Sequence, residues 1–256
     1  MKLRLFATAA IAAAAISAPA FAQDTVGSVG LGAAHTEIDA FGGEADGNAY
    51  AIDGNIAIKT SDVWTVTLQG NVSKNDGDLG DNGAYALGGA LTYAGSDWRV
   101  GPTVSYADVD GGELRTWTAG VVAQKYLGDV TLSGVANFGN IDEVDADFWT
   151  VGGEVRYFVN DNFRIQGAAN YASLDAGGSD VNGWVVGVGG EYQFANTPWS
   201  ITGGYSHATI DDVDLDADTF SIGFRYSFGG DLKARDRSGA DLGAGGNAVS
   251  TFTSLF

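Results

Sequence analysis

Cysteine is missing from this chain, proline occurs three times, and 13 basic side chains stand against 32 acidic ones in 256 residues. Without cysteine there is no disulfide framework and no thiol chemistry. The shortage of lysine and arginine makes a poor partner for nucleic acid, whose phosphates are held by basic contacts. Nothing after residue 22 is a continuous apolar run of the ~20 residues that a spanning helix needs. What the chain does have is 39 glycines, frequent aromatics and near-neutral mean hydropathy. That composition suits neither a helical protein nor a disordered one.

The first 22 residues read as a secretory leader. Lys2 and Arg4 give a basic start, Leu5 to Ile16 an apolar stretch, and Ala20-Phe21-Ala22 a small-x-small cleavage site, so the exported chain is expected to begin at Gln23. Losing Lys2 and Arg4 leaves 11 basic against 32 acidic residues, a balance of -21.

From residue 25 onward the apolar period is two. Twelve segments carry it, at roughly 25–37, 48–59, 63–73, 84–94, 98–107, 115–127, 130–139, 148–158, 163–173, 183–194, 199–208 and 218–228. Most are about the 9–11 residues that a tilted strand needs to cross a bilayer. The connections alternate strictly. Thr60-Ser61-Asp62, Gly95-Ser96-Asp97, Gly128-Asp129, Asn160-Asp161-Asn162 and Ala195-Asn196-Thr197-Pro198 are tight turns. Those at 38–47, 74–83, 108–114, 140–147, 174–182 and 209–217 are longer, rich in glycine, and hold more than half of the acidic residues. Sorting of loops by length is what an up-and-down barrel in a membrane shows, and a soluble sandwich has no reason for it.

One face of each segment is apolar, as in Tyr50, Ile52, Ile56, Ile58 and in Trp184, Val186, Val188, Tyr192, Phe194. Trp64, Trp98 and Trp199 follow short turns; Trp117, Trp149 and Trp184 follow long loops. Two aromatic belts at the headgroup levels are expected. The opposite face is small and polar, as in Thr65, Thr67, Gln69, Asn71, Ser73. Barrel diameter grows with strand number, so twelve strands lined by such residues leave a gap for water or a plug. The fold expected is all-β, a 12-stranded antiparallel transmembrane up-and-down β-barrel over residues 23–228.

The leader, the twelve segments and the terminal Gly223-x-x-Tyr226-x-Phe228 pattern together resemble bacterial outer-membrane β-barrel proteins of the porin-like kind. The resemblance implies an outer-membrane location in a Gram-negative bacterium, with lipid, lipopolysaccharide and small solutes as partners and no cofactor. It also implies that Phe224, Tyr226 and Phe228 form the signal read by the barrel-assembly machinery. In such proteins that signal usually ends the chain; here residues 229–256 follow. They show little periodicity and read as a disordered periplasmic tail. The other reading is a segment that folds back into the lumen.

Alternation turns Lys59, Arg99, Arg156, Arg164 and Arg225 inward, all toward the short-turn end. Glu154 and Glu191 share that level, and Asp53 lies deeper. These seven, Asp53 apart, are expected to line a constriction that attracts small anionic or zwitterionic solutes, or to brace the wall as ion pairs; rings of charge set selectivity in pores. The acidic runs at 142–147 and 211–218 lack the glycine and distant glutamate of a helix-loop-helix calcium loop, so no metal site is assigned. Catalysis is not expected either. His35 and His207 have no serine two residues away, and proximity of His207 to Asp211 and Asp212 means little where aspartate is common. The function expected is passive diffusion of small polar solutes, with a closed structural or surface-interaction barrel as the alternative.

Overall fold

The computed structural model describes residues 25–40, 42–78, 82–109, 114–142, 146–177, 179–210 and 215–243. The leader, its cleavage site, several loop tips (Asp211 and Asp212 among them) and residues 244–256 lie outside the described residues.

Twelve strands follow in order: β1 (Thr25–Ala40), β2 (Gly43–Lys59), β3 (Trp64–Gly77), β4 (Gly83–Ala94), β5 (Trp98–Val109), β6 (Leu114–Leu127), β7 (Val130–Ile141), β8 (Ala146–Asn160), β9 (Phe163–Ala176), β10 (Ser179–Gln193), β11 (Trp199–Ile210) and β12 (Leu215–Phe228). Every strand pairs antiparallel with its chain neighbours. The ring closes where β1 meets β12, from Gly27 opposite Phe228 to Ala40 opposite Leu215. Closure removes both sheet edges, so every strand finds two hydrogen-bonded neighbours, as a spanning sheet in lipid requires.

At the short-turn end the strands start within a residue of the sequence expectation. Small local devices fix these turns. Ser61 Oγ accepts from the Trp64 N–H at 3.1 Å, and Thr60 N–H donates to the Trp64 carbonyl at 2.9 Å. At the other end most strands run two to five residues further than the apolar period reaches. β10 begins at Ser179 and β2 at Gly43.

The two faces of the sheet differ as expected. Outward side chains are large and exposed: Leu31, Ile52, Leu68, Val104, Val121, Val155, Val188 and Ile222 stand half or more exposed on the bare protein. Inward ones are buried and polar: Thr65, Thr67, Thr92, Thr103, Thr131 and Ser200. The clusters of buried apolar side chains are small, namely Ala86 with Ala107, and Ala90 with Val122 and Leu242. A sandwich would bury its leucines and isoleucines; here most of those on the strands face out and hydroxyls face in. The wall therefore has lipid on its apolar side. Trp64 packs edge-on to Tyr93, which lies against Trp98, and Trp199 stacks on Phe224 with centroids 5.1 Å apart. Trp117 with Tyr106, and Trp149 with Tyr171, occupy the opposite level. These are the two belts.

The tail departs from the expectation of a disordered periplasmic extension. After Phe228 the chain reverses at Gly229 and Gly230, whose φ values are 86° and 147°. A Cβ at Gly229 would stand 2.6 Å from the Thr25 carbonyl, so the turn needs glycine. A helix follows, α1 (Leu232–Ser238). Asp231 caps it by accepting from the Ala234 N–H at 2.8 Å, and Gly239 closes it in the left-handed region. Leu232, Arg235, Asp236, Ala240 and Leu242 are at most 2 % exposed. Over residues 231–243 the tail lies inside the barrel.

Candidate functional site in the barrel lumen

Inward charges on β8, β9 and β10 meet charges from the C-terminal segment. Arg156 on β8 donates from Nε to Glu154 Oε1 at 2.5 Å and from Nη1 to Asp236 of α1. Its Nη2 stands 2.9 Å from Asp241 Oδ1, an ion pair without hydrogen-bond alignment. Arg164 on β9 donates from Nη1 to Asp241 Oδ2 at 2.6 Å and from Nη2 to Glu191 Oε2 at 3.1 Å. Arg235 of α1 reaches the same Glu191 oxygen at 2.7 Å, and Ser200 donates to Glu191 Oε1 at 2.6 Å. Arg225 on β12 pairs with Asp53 on β2 at 2.8 Å and donates to Ser28 at 2.8 Å.

Burial explains why these groups are joined. Isolated charges out of water cost several kcal/mol each, and only pairing with further hydrogen bonds offsets that. Arg156 and Asp236 are 1 % and 0 % exposed. Burial alone would raise the Asp241 carboxyl, but the Arg156, Arg164 and Arg235 guanidinium groups outweigh it and hold Asp241 well below the ordinary carboxylate range. Burial pushes Arg235 down, against the pull of Glu191.

Hydroxyl and amide donors seat the rest of the segment. Thr67 donates to the Gly239 carbonyl at 2.8 Å, Gln124 to the Asp241 carbonyl at 2.9 Å, and Thr131 to Asp236 at 2.6 Å. Leu242 packs on Ala90 and Val122, small inward side chains that leave it room. At the rim Lys233 meets Asp129 at 2.6 Å, a hydrogen bond that lowers the Asp129 carboxyl, and the Arg237 guanidinium lies 4.4 Å over the Tyr126 ring.

Of the seven residues expected to line a constriction, Glu154, Arg156, Arg164 and Glu191 come together in one network. Arg225 flanks it through Asp53. Arg99 is buried and turned to the segment, donating to Thr92 at 2.8 Å and to the Arg237 carbonyl at 3.2 Å. Lys59 is exposed at the end of β2. The residues missed from sequence are Arg235, Asp236 and Asp241. The readable signal was their charge order: bases and aspartates interleaved after a Gly-Gly turn, opposite a set of inward arginines.

Beside the segment, against β8–β12, lies a cavity of about 410 Å³. Arg156, Arg164, Arg225 and Arg235 line it together with Asp53, Glu154, Glu191 and Asp241. Arg164 Nε and Arg235 Nε are buried and donate to no protein acceptor. His207 faces outward instead, its Nδ1 2.9 Å from Asp218 and its ring 5.5 Å from Trp184, and so takes no part in the lumen. Among the described residues no group of three His, Cys, Asp or Glu side chains stands ready for a metal ion.

No family model and no curated protein matches the chain. Solved structures do. An outer membrane channel from Pseudomonas putida F1 is similar at TM-score 0.61 and 11 % identity, over 81 % of this chain and 96 % of that one. The KdgM porin in complex with disordered oligogalacturonate is similar at TM-score 0.52 and 11 % identity, over 78 % and 99 %. The β domain of the Bordetella autotransporter BrkA is similar at TM-score 0.51 and 13 % identity, over 79 % and 100 %. The fold is that of the outer-membrane β-barrels, and its apolar outer face between two aromatic belts puts the chain in that membrane.

Proposed function

We propose that this protein is a porin-like channel through which small polar solutes diffuse passively across the outer membrane. The observation that carries the reading is the lumen. It is lined by hydroxyls and paired charges rather than packed apolar side chains, and it retains a cavity of about 410 Å³. A wetted path needs such a lining, since hydroxyls in a dry void are costly. Glu154, Arg156, Arg164, Glu191 and Arg225 form its narrow level, with Arg99 beneath the segment. Likeness in fold to the KdgM porin and to the P. putida channel supports the reading, and no catalytic step is assigned. The aromatic strand end at Phe224, Tyr226 and Phe228 suits recognition by the barrel-assembly machinery, and the acidic loops suit a rim facing lipopolysaccharide.

Planar-bilayer recording of the full chain tests this. Discrete conductance steps with ionic selectivity that changes in Arg164→Ala are expected. A second reading rests on the segment itself, which touches β3–β10 and β12 at the short-turn end. If the segment stays docked, the barrel is a closed structural element. Silence in bilayers from the full chain and from Asp241→Asn alike would favour it.

A further inference from the structure

The Arg156 and Arg164 guanidinium groups project from neighbouring strands and already have wall partners, Glu154 and Glu191. Each also holds carboxylate from the C-terminal segment. Asp241 bridges the two arginines through separate oxygens, and Asp236 takes another donor of Arg156. Two carboxylates thus sit side by side on one pair of forks, tethered by a four-residue stretch of chain between them. Planar guanidinium forks match carboxylate geometry and recur where carboxylates are recognised. The pair adjoins the cavity, and the cavity wall keeps a spare donor at Arg164 Nε.

We propose that the Arg156–Arg164 pair is a binding site for short dicarboxylates, and that Asp236 and Asp241 fill it as a tethered stand-in until such a solute displaces the segment. This rests on the channel reading and adds to it a solute class and a gate. A dicarboxylate arriving in the cavity offers the same two acceptors, so the exchange leaves no arginine unpaired. A neutral sugar or a monocarboxylate cannot replace both aspartates, and with one of them gone Arg156 is left short of a partner, which is costly where water is excluded. Around the cavity the wall alone sets Arg156, Arg164 and Arg225 against Asp53, Glu154 and Glu191, so net charge at the site does not draw the solute in. Recognition comes from the geometry of the forks. Because the stand-in is tethered at Phe228, its effective concentration is of the order of millimolar or above, and a free solute competes only in that range.

The absence of native cysteine allows a clean test. In Thr131→Cys/Asp236→Cys, two side chains that touch across the wall and α1 become a disulfide that pins the segment, releasable with dithiothreitol. Conductance of the full chain is recorded in planar bilayers while chloride is exchanged for succinate at constant ionic strength, with acetate and glucose as controls. Open probability is expected to rise several-fold between about 1 and 30 mM succinate, the range set by a short tether. Acetate and glucose are expected to do little. The oxidised double variant is expected to stay shut at every succinate concentration and to open on reduction. Asp241→Asn is expected to open without succinate and to respond to it weakly. Heat-modifiable migration in detergent gels verifies that each variant forms a barrel. The inference is overturned if succinate has no effect while Asp241→Asn opens, or if the oxidised protein conducts as well as the reduced one; the channel reading survives both results. Silence from wild type, Asp241→Asn and the reduced double variant together would sink the channel reading itself.

Discussion

Asp241 Oδ2 lies 2.6 Å from Arg164 Nη1, joining the C-terminal segment to β9 across 77 residues of sequence. That contact ties the chain end to the wall at the level where inward charge is densest. Its partners make the docked state measurable from several sides.

Asp236→Ala removes one carboxylate from a buried guanidinium. Breaking a buried pair in this way typically costs about 3–5 kcal/mol. The loss is expected to fall on docking and not on the barrel. Amide hydrogen exchange is predicted to speed up across Leu232–Ser238, while the β7 and β8 ladders keep their protection. Equal loss of protection in β8 would show instead that Asp236 braces the wall.

Acid is predicted to release the segment late. The Asp241 carboxyl is depressed in the docked state, so its contribution is fully present above the ordinary value near 3.8 and is lost only as pH falls through the lower, docked value. Docking therefore stays constant from pH 7 to about pH 5 and weakens below the ordinary carboxylate range. An environment-sensitive dye on a cysteine placed at Ser238 would report the transition. A midpoint near pH 6 would contradict the assignment of Asp241 as the controlling group.

Gly229→Val places a side chain where the backbone is left-handed and a carbonyl is 2.6 Å away. A left-handed backbone costs a residue with a Cβ about 1–2 kcal/mol before any clash. The segment is expected to leave the lumen and become open to protease after Arg235 and Arg237. Phe224 and Tyr226 keep their contacts with Trp199, so barrel formation is expected to be unchanged.

Val188→Arg tests the orientation of the wall. Val188 is 64 % exposed on the bare protein and stands midway along β10 between Trp184 and Tyr192. A basic side chain at the bilayer midplane costs about 2–4 kcal/mol. Urea-induced unfolding in lipid vesicles is predicted to shift by that amount. No shift would mean that this face meets water or protein.

The twelve strands and both belts were legible because lipid imposes a strict rule on alternate residues. Ile52, Leu68 and Val188 have to be apolar, and period two follows. The rule stops at the membrane edge. Beyond it the ladder continues through Asp175, Asp180 and Asp216, whose backbones pair as well as any while their side chains meet water. The long-loop ends of the strands were therefore underestimated, and the short turns were not. The docked segment was illegible for a related reason. In a polar lumen burial is bought with ion pairs and hydroxyls, so α1 carries no apolar stripe, and Leu232 and Leu242 are too few to make a period. The inward set of Arg99, Arg156, Arg164 and Arg225 was visible, but the aspartates that complete it sat in a stretch whose composition suggested solvent.

The Gly229–Gly230 reversal has a consequence for the order of assembly. The berth of the C-terminal segment, α1 and the residues to Asp241, is built from Thr67 on β3, Gln124 on β6, Thr131 on β7, Arg164 on β9 and Ser227 on β12. No subset of neighbouring strands offers it. The helix therefore has nowhere to lodge until β12 has zipped onto β1 and the ring is whole. The segment finds its full set of partners only in the finished ring, a keystone set after the arch.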